Sequence, residues 1–365
     1  MTRSSPPLTD EIEISLFRPG VGECVVLHLS AGNWMVVDSC CLSSGRPVAL
    51  EYLESLGVDV ATQVKSLVIT HWHDDHIRGM ADLLREAKSA KFACSSALQC
   101  KEFFTLVLAK KGIKLVEHSS GISEFSEILD VLQERAGGRF AVGPDTWVRE
   151  GLRLYSQSTP YFAEVHGLSP SDQTITDAIG KFAKLMPVPR KSIRQFPNLG
   201  PNDTSVALLV RTLNFGILLG ADLERGRSSR CGWQAVVTSQ NRPQDRSSIF
   251  KVAHHGSSNG DLDDIWTNLL TKNPFVMVTP YSRSDLPSTS DVARLKRRAN
   301  EIYCTAWPAS FPSRRRGRAV EKTLKEGGVT LRSAGKSTGH IRIRLPITGQ
   351  PDDARVELFD GAVRL

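Results

Sequence analysis

Apolar and polar positions alternate or cluster in two opening runs, 12–17 and 24–29, on either side of Pro19-Gly20-Val21-Gly22, a turn sequence. A β-hairpin is the expected start of the chain. Ala31-Gly32-Asn33 supplies a second turn, and a third strand over 34–37 ends at Asp38-Ser39. Residues 48–56 carry a helical pattern, and Gly57 follows where a helix C-cap favours glycine. The chain then reaches 67–69, a short apolar run without alternation, which is the pattern of a strand buried on both faces. Helical spacing resumes at Ile77, Met80, Leu83 and Leu84 and predicts a helix over 77–87.

The pattern weakens between 91 and 200. Strands are expected at 91–94 and 113–117, helices at 97–110, 123–136 and 175–185, extended chain at 147–155, and a proline-containing loop at 186–202. We read 97–200 as core elements with insertions that shape the substrate side. Strands return at 205–211, 215–219, 249–253, 275–279 and 302–307, and two more, 340–345 and 355–359, are expected to complete a second sheet.

Between the apolar strand and its helix lies Thr70-His71-Trp72-His73-Asp74-Asp75-His76. His71 and His73 are two apart, so in an extended turn they point the same way. Asp75 and His76 open the helix and aim back from a second direction. Two such pairs can hold two metal ions from opposite sides, and imidazole with carboxylate suits zinc, manganese or iron. Four potential ligands within six residues, directly after a buried strand, set this stretch apart from polar residues on an exposed loop. Later in the chain the strand at 215–219 ends in Gly220-Ala221-Asp222, and the strand at 249–253 runs into His254-His255-Gly256-Ser257. Either signal alone is weak; their order behind the first motif gives them weight.

The H-x-H-x-D-H pattern resembles the metallo-β-lactamase superfamily of binuclear hydrolases. Within it, the chain is similar to the metallo-β-lactamase-like domain of the bacterial DNA-uptake (competence) channel and its soluble relatives, on three stretches: 202–210, Val252-Ala253-His254-His255-Gly256-Ser257, and Pro287-Ser288-Thr289-Ser290-Asp291. The match covers 11–80 and 202–308. It implies an α/β fold, an αββα sandwich of two mixed β-sheets with flanking helices, as one domain over 1–365. It also implies His71, His73 and Asp222 around a first divalent ion and Asp75, His76, His255 and Asp222 around a second, with Asp38 supporting the loop from outside. His254 would then be free to contact substrate or shuttle a proton, and Asp75 and His254 are the candidates for a part in catalysis. Two departures stand out. Where many members place a further histidine, this chain has Asn202 and Asp203, so Asp203 or water would complete the first site; and Leu286 replaces the group's usual histidine. The channel's membrane helices are not found in this sequence, so transport is not implied.

Two ions about 3.5–4 Å apart can share a water, lower its pKa from about 16 toward 7, and stabilise displacement at phosphorus or addition at a carbonyl. The implied function is hydrolysis by a metal-bridging hydroxide.

Composition narrows the picture further. At 365 residues and 40% apolar, the chain is of ordinary globular type. Its longest apolar runs, 25–29 and 216–221, fall far short of the roughly 18 residues of a spanning helix. No membrane insertion is expected. Residues 1–10 lack the apolar core of a signal peptide, so the expected location is cytoplasmic. Seven cysteines without zinc-ribbon spacing suggest reduced thiols, with Cys40-Cys41 as buried filler. His28 and His340 lie in strand patterns and read as structural, whereas His118 and His166 stay open.

Charge bears on the substrate. Residues 281–365 hold 17 Lys and Arg against 9 Asp and Glu, while 1–280 hold 29 against 30. Lys296-Arg297-Arg298 and Arg314-Arg315-Arg316-Gly317-Arg318 flank the strand at 302–307. A basic excess beside a two-metal site favours an anionic substrate, DNA, RNA or a nucleotide, over a lactam, lactone or thioester. Arg314, Arg315, Arg316 and Arg318 are the candidate phosphate contacts. A binding or regulatory module with an incomplete metal set is the other class.

Overall fold

The computed structural model describes residues 4–20, 22–110, 120–138, 143–184, 200–308, 323, 326–327 and 338–365. The strands, in chain order, are β1 (Glu11–Pro19), β2 (Cys24–Leu29), β3 (Trp34–Val37), β4 (Val64–Ile69), β5 (Lys91–Ser95), β6 (Thr146–Val148), β7 (Arg153–Gln157) and β8 (Ala163–Gly167). They continue as β9 (Leu208–Arg211), β10 (Gly216–Leu219), β11 (Ser247–Lys251), β12 (Leu270–Val278), β13 (Glu301–Cys304), β14 (Thr338–Pro346), β15 (Arg355–Phe359) and β16 (Val363–Arg364).

These strands form two eight-stranded mixed sheets, ordered β15-β14-β1-β2-β3-β4-β5-β6 and β16-β13-β12-β11-β10-β9-β8-β7. Three apolar layers hold them together. Ile12, Ile14 and Leu16 of β1 face Leu208, Val210 and Ile217 of the other sheet, and this inter-sheet layer is closed to solvent. Leu67 and Ile69 point outward onto a layer of helices with Leu53, Met80 and Phe125. Val68 points inward, so β4 is buried on both faces, as its unbroken apolar run requires. A third layer packs Leu218, Phe250 and Val276 beneath Trp233 and Leu295. Helix on sheet, sheet on sheet and sheet on helix is the αββα sandwich.

The structure corrects several expectations. The C-terminal strands β14 and β15 extend the first sheet, not the second: β14 pairs antiparallel with β1 from Glu11↔Pro346 to Pro19↔Thr338. Ile341, Ile343 and Leu345 join the inter-sheet layer, while Arg344 turns outward to Glu13 at 2.7 Å and His340 to Ser15 at 3.0 Å. Only β16 reaches the second sheet, against β13. The helix expected over 77–87 is two pieces, Asp74–Ile77 and Met80–Glu86. Gly79 between them takes φ +84°, and a Cβ there would lie 2.5 Å from the Cys41 sulfur. The extended chain expected at 147–155 is divided into β6 and β7 by the turn at Gly151. Strand β8 and the helix Gly232–Thr238 were not anticipated. The strand expected at 113–117 and most of the loop at 186–202 lie outside the described residues.

All seven cysteines are free thiols. Among the described residues no helix is long and apolar enough to cross a membrane. His28 and His340 are buried in sheet contacts, His28 accepting the Gly32 N–H, and His166 pairs with Glu164 on β8 at 3.0 Å.

Candidate metal centre

Five strands deliver the site from their carboxyl ends: β3 ends before Asp38, β4 before the histidine motif, β10 before Asp222, β11 before His255 and β12 before Thr279. The backbone departs from ordinary geometry at these ends. Asp38, Ala221, His254 and His255 all have positive φ, at +61°, +45°, +47° and +54°. Such conformations are costly for residues with a Cβ and persist where the surroundings impose them, often at functional sites. Gly220 has a steric reason to be glycine: a Cβ there would lie 2.8 Å from the Ala253 nitrogen, so the Asp222 and His255 turns could not approach.

Each buried imidazole is fixed through its outer nitrogen. His76 donates from Nδ1 to the Asp38 carboxylate at 2.7 Å, and that carboxylate also accepts the Thr70 N–H and hydroxyl, both at 2.8 Å. His255 donates from Nδ1 to the Thr279 carbonyl at 3.0 Å, and His71 Nδ1 meets the Thr70 hydroxyl at 2.9 Å. All three Nε2 atoms then face Asp222. Its Oδ2 lies 3.8 Å from His71 and 3.6 Å from His255, and its Oδ1 lies 3.4 Å from His76. Asp75 approaches from the other side, 3.5 Å from His255 and 3.8 Å from His76, and His73 Nδ1 is 3.1 Å from His71 Nε2.

Most of these separations are too long for good hydrogen bonds, yet the groups are buried together. His76 Nε2 and Asp222 Oδ1 have no hydrogen-bond partner at all. Ligands about 2.1 Å from a shared tetrahedral ion stand roughly 3.4 Å apart, the spacing seen here. The donor set therefore fits divalent metal, with His71, His76 and Asp222 in one group and Asp75, His76 and His255 in another. Outer hydrogen bonds of this kind orient ligating imidazoles and raise their basicity.

The electrostatics agree. Burial alone would push the His76 pKa down, but Asp222, Asp38 and Asp75 around it raise it well above the ordinary imidazole value. His255 is likewise raised by Asp222 and Asp75 against its burial. His71 and His73 are lowered, chiefly by burial, with neighbouring His76 adding to it. For Asp222 burial works upward, but His255, His76 and His71 hold it well below the carboxylate range; Asp75 is lowered in the same way by His76 and His255.

Three expected residues are placed differently: His73 enters none of the ligand groups among the described residues, though its Nδ1 stands at the edge of the first, beside His71. Asp203 is turned to Lys181 Nζ at 2.7 Å and enters none of the ligand groups among the described residues, which include a third group of Glu23, Asp38 and His76. His254 is not free: Asn202 Nδ2 lies 3.2 Å from its Nε2 and Asn259 Oδ1 lies 2.9 Å from its Nδ1. Its neighbour Glu224 completes a polar group beside the centre. Arg314, Arg315, Arg316 and Arg318 lie outside the described residues. Three residues at the site were missed from sequence. Tyr281 stacks on His255 with ring centroids 5.0 Å apart, and Glu23 pairs with Lys251 in the interior. A glutamate opening an apolar strand and a lysine inside one were the available signals.

Residues 17–183 match the family model described as Metallo-beta-lactamase superfamily, a span that includes the histidine motif but not Asp222 or His255. Among solved structures the chain is similar to the MIM-2 metallo-β-lactamase, at 12% identity over 62% of this chain and 65% of that one, TM-score 0.32. It is similar to a Cronobacter sakazakii metallo-β-lactamase with a HARLDQ motif, at 13% over 69% and 80%, TM-score 0.33. A third is the metallo-β-lactamase fold protein YhfI from Bacillus subtilis, at 10% over 82% and 98%, TM-score 0.39. Likenesses this distant say nothing about substrate; the chemistry rests on the geometry of the site.

Proposed function

From the match of residues 17–183 to the metallo-β-lactamase superfamily model and the geometry of the site, we propose that the chain is a hydrolase of that superfamily whose centre takes two divalent ions, zinc foremost, and that its substrate is a phosphodiester of a nucleic acid or nucleotide. The observation that supports the two-ion reading is Asp222, whose two buried oxygens face three imidazole nitrogens at 3.4–3.8 Å without a hydrogen bond to any. His71, His73 and Asp222 would hold one ion; Asp75, His76, His255 and Asp222 would hold the other.

Formal charge supports the count. Glu23, Asp38, Asp75 and Asp222 give −4 against +1 from Lys251, a net −3 in a largely buried site. Two divalent ions bring it to +1, since −3 + 4 = +1. Buried charge left unbalanced is costly, and one divalent ion would leave −1 where two bring the group close to neutrality. When bound, the ions would make a shared water acidic enough to react near neutral pH and stabilise charge on the oxygens of an in-line displacement. The chain's own part is orientation: Asp38, Thr70 and Thr279 fix the imidazoles, and Asn202 and Asn259 hold His254 in one orientation beside them. Tyr281 covers His255, and the exposed Arg283 lies close enough for its charge to work against the burial that raises the Tyr281 pKa, which brings a cation to that side. That placement favours a phosphodiester over a neutral carbonyl substrate.

The test is metal analysis of the purified chain alongside a screen of nucleic acids, cyclic dinucleotides and esters. Close to two ions per chain and phosphodiester cleavage are expected. Cleavage confined to lactams, lactones or thioesters would remove the phosphodiester part, and a chain that takes up no metal would remove the whole reading.

A further inference from the structure

Lys251 is an unusual residue to find at the end of a central strand. It is 1% exposed, and its ammonium donates to the Ala221 carbonyl at 3.1 Å and to the Glu23 carboxylate. Ala221 is the positive-φ residue directly before Asp222, and its carbonyl also accepts the His254 N–H at 2.9 Å. Glu23, equally buried, donates its backbone N–H to the Asp75 carbonyl at 2.8 Å. One ion pair therefore links three ligand-bearing turns across the two sheets. On one side is the turn of Asp75; on the other are those of Asp222 and His255. Neither side chain is positioned to meet substrate, and Glu23 Oε2 has no hydrogen-bond partner, although it lies in a group with Asp38 and His76.

We propose that Lys251 and Glu23 are a buried positioning pair that sets the separation of the Asp75 and Asp222 turns, and through it the geometry of the metal centre. This rests on the two-ion reading above. A buried ion pair is a poor source of net stability, because desolvation offsets most of the attraction, whereas its directional contacts fix geometry. Removing one partner leaves an unpaired buried charge and destabilises the fold for reasons unrelated to position. Removing both charges separates the two effects.

The experiment compares the parent with Glu23→Gln, Lys251→Met and the double variant, all in the full chain. In the double variant we expect the thermal midpoint to return close to the parental value. Affinity for the more weakly held zinc ion, measured by competition with a chromogenic chelator, should nevertheless fall about tenfold, as when outer partners of metal ligands are lost. On a phosphodiester, kcat should fall by a similar factor while KM moves less than about twofold, the signature of misplaced machinery and not of lost binding. With metal removed by chelator, amide exchange at Glu23 and His254 should quicken beyond the change in global stability. A double variant with parental metal affinity and parental exchange at both amides would overturn the proposal. If the double variant does not fold, Glu23→Asp decides, because it keeps both charges and shortens only the reach to Lys251; parental affinity and exchange there would count equally against the pair. A parent that binds no metal would sink the two-ion reading alone, since the exchange comparison in metal-free protein still decides the pair.

Discussion

Asp222 carries more of the proposed chemistry than any other side chain, because both its oxygens face imidazoles and neither ligand group on its own explains that placement. Asp222→Ala should remove most of both ions and lower activity by at least about 100-fold, the upper end of what losing even an outer partner costs. Inductively coupled plasma analysis checks it, and full occupancy by both ions would end the bridging assignment. Asp203→Ala should leave metal content unchanged, since its carboxylate serves Lys181. That reverses the expectation drawn from sequence, and the reason is physical. An acidic residue near a missing ligand position looks like a substitute on paper, but its direction is set by the short helix Pro201–Thr204 and by a lysine on a distant helix. His71, His73, Asp75 and His76 were legible because four donors fall within six residues after a buried strand. Lys251 and Glu23 were not, because a charge inside an apolar strand announces its burial only when the partner across the fold is known.

Turns at strand ends, acting together, decide how the metal-free chain responds to pH. His76 and His255 have folded pKa values raised above the imidazole value of about 6.5, so the stability they contribute is complete below that value and is lost as pH rises through the folded values. His71 and His73 are lowered, so the unfolded chain takes up protons that the native turns refuse, and stability is lost as pH falls below about 6.5. The depressed carboxyls of Asp222 and Asp75 stabilise above the ordinary carboxylate range and lose that contribution in acid. The metal-free thermal midpoint should therefore peak near neutrality and decline on both sides. Saturating zinc should flatten the alkaline limb, because ions replace the protons that His76 and His255 hold. Calorimetry across pH checks this, and a metal-free midpoint that climbs steadily into alkali would contradict it. Local pattern revealed most of the elements that build these turns. It could not reveal that Gly79, at φ +84°, breaks one helix into two, nor that β14 returns from the far end of the chain to β1, since pairing partners are chosen by the matching of faces and not by alternation within one strand.

Across the whole molecule, part of the C-terminal basic excess is already paired within the fold. Arg294, Arg298, Arg342, Arg344, Arg355 and Arg364 pair with carboxylates, among them the buried Arg344 with Glu13, so this part of the excess serves the fold. Arg314, Arg315, Arg316 and Arg318 lie outside the described residues, and the case for them rests on clustering in sequence alone. If they neutralise phosphates, changing all four to Ser should weaken nucleic-acid binding at low salt and flatten the dependence of log affinity on log salt by about 3–4 units, because each phosphate contact releases roughly one condensed counterion. The difference between variant and parent should shrink as salt rises. Metal content should stay the same, and a small activated phosphodiester, which makes no extended contacts, should lose far less than a polynucleotide does. Filter binding of DNA and RNA over a salt series is the measurement. Equal binding by variant and parent at low salt would make the cluster ordinary solvated surface. The nucleic-acid reading would then lose its main support, leaving hydrolysis of a small molecule as the better account of the same metal site.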